Sequence, residues 1–173
     1  LAMEKRSFAD YGLTWQKNTF VQFIKGLIIG TVSFGLIILI LLLCTELKVT
    51  QNTTAWDSLM LCWYLAIIPL ALMEEVAFRS YAFLKLNTVF GLRITQLIVA
   101  VVFALYHIVQ GWNWQIAFLG PGIWALVFGL AAAWSKGIAV PTGMQVALNL
   151  MQTLFGMKEK AGDHIWSVQV GEN

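Results

Sequence analysis

The stretch GLIIGTVSFGLIILILLLC, from Gly26 to Cys44, carries no charge in 19 residues. At about 1.5 Å per helical residue it covers roughly 30 Å, the depth of a bilayer's hydrocarbon core. Backbone in that layer finds no water, so it bonds to itself as a helix, and a chain containing this stretch is committed to the membrane. Composition agrees: 59% of the 173 residues are hydrophobic and 12% charged, against about 45–50% and about 25% in soluble domains. The net charge of +2 comes with no basic run interleaved with aromatics, so nucleic acid is not an expected partner.

Four further apolar runs follow. The second goes from about Ser58 to Leu84, interrupted only by Glu74, Glu75 and Arg79, and at about 27 residues it is long enough to tilt or to extend past the bilayer. Pro69 lies within it and permits a kink one turn before the acids. After the connection KLNTVFGLR, the run Ile94 to Val109 forms a third span, ended by QGWNWQ, where Trp112 and Trp114 suit the headgroup level. A fourth runs from Ile116 to Trp134, with an irregular or re-entrant start predicted at Gly120-Pro121-Gly122 and a close at Lys136 and Gly137. The fifth, Ile138 to Met157, leads into the polar tail KEKAGDHIWSVQVGEN, where His164 reads as a solvated surface residue. The expected fold is therefore an all-α polytopic transmembrane bundle of about five spans. Residues 1–25 form an N-terminal cytoplasmic or interfacial segment, in which Phe8 to Leu13 is a short interfacial piece. Residues 26–157 form the membrane domain and 158–173 the tail, and no internal repeat is seen.

Basic residues set the orientation. With the N-terminus inside, Lys5, Arg6, Lys17, Lys25, Lys85, Arg93 and Lys136 are cytoplasmic, against Lys48, Lys158 and Lys160 outside. Seven against three favours that arrangement. Cys44 and Cys62 fall in apolar stretches and read as small buried hydrophobes rather than a disulfide. No signal peptide is expected from the opening Leu-Ala-Met-Glu-Lys-Arg. Asn52-Thr53-Thr54 fits a glycosylation acceptor, a tripeptide common by chance.

Charged groups at membrane depth cost at least about 2.5–3.5 kcal/mol each, so Glu74, Glu75 and Arg79 need a compensating reason. Glu75 and Arg79 are four apart with the acid first, the favourable order for a pair on one helix face. Glu74 is rotated from Glu75 by about 100°, out of natural reach of Arg79, and is left as a lone carboxyl in an apolar setting. A poised carboxylate in a cavity is what general-base chemistry requires. A purely structural ion network, or an ion or proton path, would use the same three residues. His107, Gln145 and Asn149 are the other polar candidates, each taken alone equally suited to interhelical hydrogen bonding. Counted from the inner ends of their spans, Glu74, His107 and Asn149 lie about 15, 21 and 18 Å deep, in one layer, with Gln145 one turn below Asn149 and Phe103 one turn below His107.

These residues carry a resemblance. Glu74-Glu75-Val-Ala-Phe-Arg79 followed by Phe103-Ala-Leu-Tyr-His107 resembles the E-E-x-x-x-R and F-x-x-x-H motifs of the CAAX protease and bacteriocin-processing (CPBP, or Abi) family of intramembrane endopeptidases, which includes the type II CAAX prenyl endopeptidases. The similarity covers about residues 58 to 157, with both motifs in order on successive spans. The resemblance implies that Glu74 and His107 activate a water, that Glu75 and Arg79 are a supporting ion pair, and that Asn149 donates to the oxyanion. The family's last motif is H-x-x-x-N or H-x-x-x-D, and here Gln145 stands in the His position. A carboxamide still donates to an oxyanion but carries no charge and shuttles no proton. Loss of one oxyanion contact costs up to about 10²–10³ in rate, whereas loss of a proton carrier or metal ligand would remove activity. Zinc held by Glu74, His107 and Glu75 is the alternative to a metal-free glutamate mechanism, and it is disfavoured because a zinc site normally takes three protein ligands and a second His is missing. The expected partners are membrane lipid and a membrane-associated or lipidated peptide substrate, in the plasma membrane of a bacterium. The alternative is a catalytically weakened relative acting as a membrane binding or bacteriocin self-immunity protein. A transporter is disfavoured by the lack of paired halves.

Overall fold

The computed structural model describes residues 17–52, 58–157 and 164–170. The Phe8 to Leu13 segment, Thr53 and Thr54 of the glycosylation tripeptide, and Lys158 and Lys160 of the tail lie outside the described residues. Helix α1 runs Thr19–Cys44, beginning ahead of Gly26 because Phe20, Val21, Phe23 and Ile24 extend the apolar stretch past Lys25. Strand β1, Leu47–Gln51, follows it. Helices α2, Ser58–Arg79, and α3, Tyr81–Val109, come next, then α4, Trp114–Ala117, a π turn over Phe118–Gly122, α5, Ile123–Ser135, α6, Ala139–Leu154, and strand β2, Trp166–Val170.

Three of the expected boundaries move. The second span does not continue to Leu84: Ser80 breaks the helix with φ −91° and ψ −116°, its hydroxyl donating to the Val76 carbonyl. A serine that bonds its own preceding turn competes with the helix ladder, which gives the chain a place to stop. The expected connection KLNTVFGLR is helical instead. It forms the first part of α3 as far as Gly91, where φ 74° and ψ 168° suit glycine alone and the chain turns back, so the reversal still falls within that stretch. At Gly120-Pro121-Gly122 the fourth span is irregular, as expected, but not re-entrant. Pro121 lacks an N–H, and the chain absorbs the loss as one π turn in a helix that is otherwise continuous from Trp114 to Ser135.

Helices α1 and α6 lie side by side through small residues. A Cβ built on Gly26 would overlap the Val140 carbonyl oxygen, and one on Gly143 would overlap the Phe23 carbonyl oxygen; one on Gly30 would sit 2.6 Å from the Met144 oxygen. These pairings advance together along both helices, so α1 and α6 run parallel. Close backbone approach through small residues is how helices associate where lipid removes the hydrophobic drive. Around this seam Phe34, Ile38, Phe128, Val140, Met144 and Leu148 form the main core.

Helix α3 joins α5 through a polar residue. Gln96, buried against Gly129, in the orientation that satisfies both its ends donates to Leu126 O at 3.1 Å and accepts from Leu130 N at 2.9 Å. Its carboxamide is thereby satisfied inside the bundle, at the one position where the absent Cβ of Gly129 leaves room. Glu75, Arg79, Thr95, His107, Thr142 and Gln145 are buried as well.

The polar segments after α1 and α6 hold a finding that periodicity does not reveal. β1 and β2 pair antiparallel, Leu47 opposite Val170 through Gln51 opposite Trp166. The pair is fastened to the end of α6 by Ile165 N to Leu154 O at 3.1 Å and by the Phe155 and Trp166 rings, 5.2 Å apart. His164 is correspondingly not a freely solvated residue: it is half-buried against Gly156 and its Nε2 lies 2.8 Å from Ser167 Oγ. Cys44 and Cys62 are free and exposed on the outer face of the bundle, not buried.

Among the described residues three helical stretches are long and apolar enough to cross a membrane: Thr19–Cys44, Met60–Val109 and Trp114–Ser135. The second, 50 residues long, joins α2 and α3 across the break at Ser80 and turns back at Gly91, which brings Phe103 to the level of Phe78 and Arg79. α6, at 16 residues, is shorter and is buried from Val140 to Leu148.

Candidate active site

Two polar clusters lie where α2 packs against α3, α5 and α6. In the first, Arg79 Nη1 donates to Glu75 Oε1 at 2.9 Å, with both side chains wholly inaccessible. The i,i+4 spacing on α2 dictates the pair. Three rings complete it: the guanidinium carbon lies 4.3 Å from the Phe103 centroid, 5.4 Å from Phe128 and 5.8 Å from Phe78. Arg79 Nε and Nη2 make no hydrogen bond among the described residues. The π faces supply the remaining attraction for a desolvated cation.

In the second, Gln145 Nε2 of α6 donates to Glu74 Oε2 of α2. Glu74 is thus not a lone carboxyl: a side chain 71 positions away holds one of its oxygens. The other end of that carboxamide, Gln145 Oε1, is buried and has no partner among the described residues. Asn149 is half-buried one turn further along the same face of α6, and its own carbonyl accepts from Thr153 Oγ1 at 2.8 Å.

His107 sits near the end of α3. Its Nδ1 is 2.8 Å from Phe103 O, and a carbonyl only accepts, so Nδ1 carries a proton and Nε2 is the accepting nitrogen of the neutral ring. Phe103, Tyr106 and Trp112 box the imidazole, with ring centroids at 4.7, 5.4 and 5.2 Å.

The Arg79–Phe103 contact gives a common level. α2 and the part of α3 after Gly91 run antiparallel, since the chain turns back at Gly91 and returns Phe103 to Phe78. Glu74 lies five residues before Arg79 and His107 four after Phe103, so both are displaced toward the same end, by about 7.5 and about 6 Å. Glu74, Gln145 and His107 therefore share a layer, with Asn149 about 6 Å beyond. Among the described hydrogen bonds, Glu74 is joined to Gln145 and not to His107; Phe103 carries the contact between His107 and the Glu75–Arg79 pair.

Trp112 makes a contact that the sequence did not suggest. Expected at the headgroups, it packs its indole onto His107 while 39% exposed, and its backbone N–H donates to the His107 carbonyl at 3.1 Å. Its only signal in the sequence is its position one short turn after the histidine. Trp112→Ala is expected to remove about 0.5–1.5 kcal/mol of ring packing, read as broadened His107 imidazole signals in NMR spectra of labelled protein. Trp114→Ala, at a side chain 62% exposed, should leave them unchanged.

Glu75 is engaged by Arg79, and among the described residues no three His, Cys, Asp or Glu side chains are gathered to hold a metal.

Comparison with curated proteins and with solved structures gives no match. A family model does match, over residues 54–151, more than half of the chain and inclusive of every residue of both clusters; its description is type II CAAX prenyl endopeptidase Rce1-like. A buried Glu75–Arg79 pair beside the half-buried Glu74, a boxed histidine and that match agree, and the chain belongs to the Rce1-like type II CAAX prenyl endopeptidases, a family of membrane proteases.

Proposed function

We propose that this protein is an intramembrane endopeptidase that hydrolyses a peptide bond of a membrane-associated or lipidated substrate by glutamate-activated water. The observation that carries the reading is the Glu74 carboxylate, held by Gln145 in the layer of a histidine whose Nε2 is left as the basic nitrogen. Glu74 takes a proton from water, the water oxygen attacks the scissile carbonyl, and the proton is returned to the leaving amine. His107 Nε2 orients the water, and the Asn149 carboxamide donates to the oxyanion. The Glu75–Arg79 pair fixes the α2 turn that presents Glu74. No metal enters this scheme.

The same reading takes α6 as a fifth crossing, with the N-terminus cytoplasmic. The parallel course of α1 and α6 supports that count, since it leaves β1 and β2 on one side, where they pair. The resemblance to bacteriocin-processing relatives supports a bacterial plasma membrane.

Purified protein in detergent or liposomes, given a lipidated peptide, should cleave it. Glu74→Gln and His107→Ala should each lower the rate by about 10²–10⁴, the usual contribution of acid–base catalysis. A second reading, a weakened relative that binds without cleaving, is favoured only by Gln145 standing where the family has His. Peptide binding without turnover in wild type and in Gln145→His would support that reading instead.

A further inference from the structure

Gln145 was expected to donate to the oxyanion, but the geometry gives its carboxamide another task. Its Nε2 is engaged by the Glu74 carboxylate, and its Oε1, on a residue only 4% exposed, is an acceptor with no partner among the described residues. A buried carbonyl left without a donor costs about 1–3 kcal/mol, so such a group normally has a partner. Both atoms belong to one planar carboxamide. A small donor on Oε1 can therefore also reach the Glu74 carboxylate.

We infer that Gln145 is a water-positioning residue: its Oε1 and the Glu74 carboxylate together hold the water that attacks the substrate. Water is the chemistry that fits, because both groups accept and water offers two O–H donors with two partners within reach. With one hydrogen on Gln145 Oε1 and the other on Glu74, the oxygen lone pairs face away from both acceptors and are free to attack. The step then balances. The O–H bond toward Glu74 breaks as the water oxygen bonds the scissile carbon, the carbonyl π pair moves onto its oxygen, and collapse breaks the C–N bond as Glu74 returns the proton to nitrogen.

The oxyanion role would then rest on Asn149, one turn on. Gln145 is in this respect a different solution from an imidazole at the same position: it ties down the base and the nucleophile through one rigid group. The inference rests on the proposed hydrolysis, but its first test does not.

A high-resolution experimental structure of the wild-type protein should show a water within hydrogen-bond distance of both Gln145 Oε1 and a Glu74 oxygen. A protein donor on Oε1 in its place would overturn the inference whether or not the protein cleaves peptides. In kinetics, Gln145→Met, similar in size but with no such polar contacts, should lower kcat by about 10²–10³-fold, the scale of one preorganised polar contact, with KM unchanged. Gln145→Glu, which keeps an acceptor oxygen and when protonated a donor to Glu74, should recover part of that loss. Wild-type kcat in Gln145→Met, or a change confined to KM, would overturn the role. A wild type that cleaves nothing yet holds the water would defeat the protease reading and leave the water site standing.

Discussion

Arg79→Met is expected to destabilise the purified protein by about 3–5 kcal/mol, the cost of removing one partner from a buried pair and stranding the other. Arg79 is a single donor group bonded at 2.9 Å to Glu75, wholly buried, and pressed against three aromatic rings. Methionine fills much of that volume, so the loss reports the uncompensated Glu75 charge more than a cavity. Glu75→Gln with Arg79→Met should recover most of the stability, because no charge is then left unpaired. Arg79→Lys should not substitute well, since an ammonium lacks the planar face that lies over Phe103. Equilibrium unfolding in mixed micelles checks all three variants. A single variant as stable as wild type would mean that the pair contributes nothing to the fold.

Gly143→Leu is expected to part α1 from α6. Even a Cβ at this position overlaps the Phe23 carbonyl oxygen and comes within 2.8 Å of Leu27 N. Backbone cannot yield as the tip of a side chain can, so the helices must separate, and the packing of Phe34 and Ile38 against Met144 and Leu148 goes with them. Overpacking a tight core costs about 1–3 kcal/mol and occasionally more; here the whole seam is at stake, so the upper part of that range or beyond is expected. Gly35 is the control. A Cβ there meets nothing within 4 Å, and Gly35→Ala should be neutral or gain up to about 1 kcal/mol from helix propensity. Thermal unfolding in detergent separates the two, and a cysteine pair across α1 and α6 should cross-link in wild type but not in Gly143→Leu.

Much of this was legible in the chain because hydrocarbon leaves few choices. The uncharged run from Gly26, the i,i+4 spacing of Glu75 and Arg79, and the motifs around Glu74 and His107 are local signals, and the family follows from them. The contacts that assemble the site are not local. Nothing near Glu74 announces Gln145, and nothing in GLIIG says that its glycines meet α6 rather than lipid. Ser80 and Gly91 are ordinary residues in an apolar stretch, and only the fold shows that one stops a helix and the other turns the chain back. The strands were hidden because five-residue polar segments with period-two alternation also read as loop. Trp112 was read from its residue type, which suits a headgroup as well as it suits a histidine ring.

The measurement closest to the central claim is cleavage in ¹⁸O-labelled water. Wild-type protein in liposomes, given a lipidated membrane peptide, should yield a product whose new C-terminal carboxylate carries one labelled oxygen, while Glu74→Gln, folded and equally stable, yields essentially none. A wild type that leaves every such peptide intact, or a Glu74→Gln variant that cleaves and incorporates label at the wild-type rate, would contradict it.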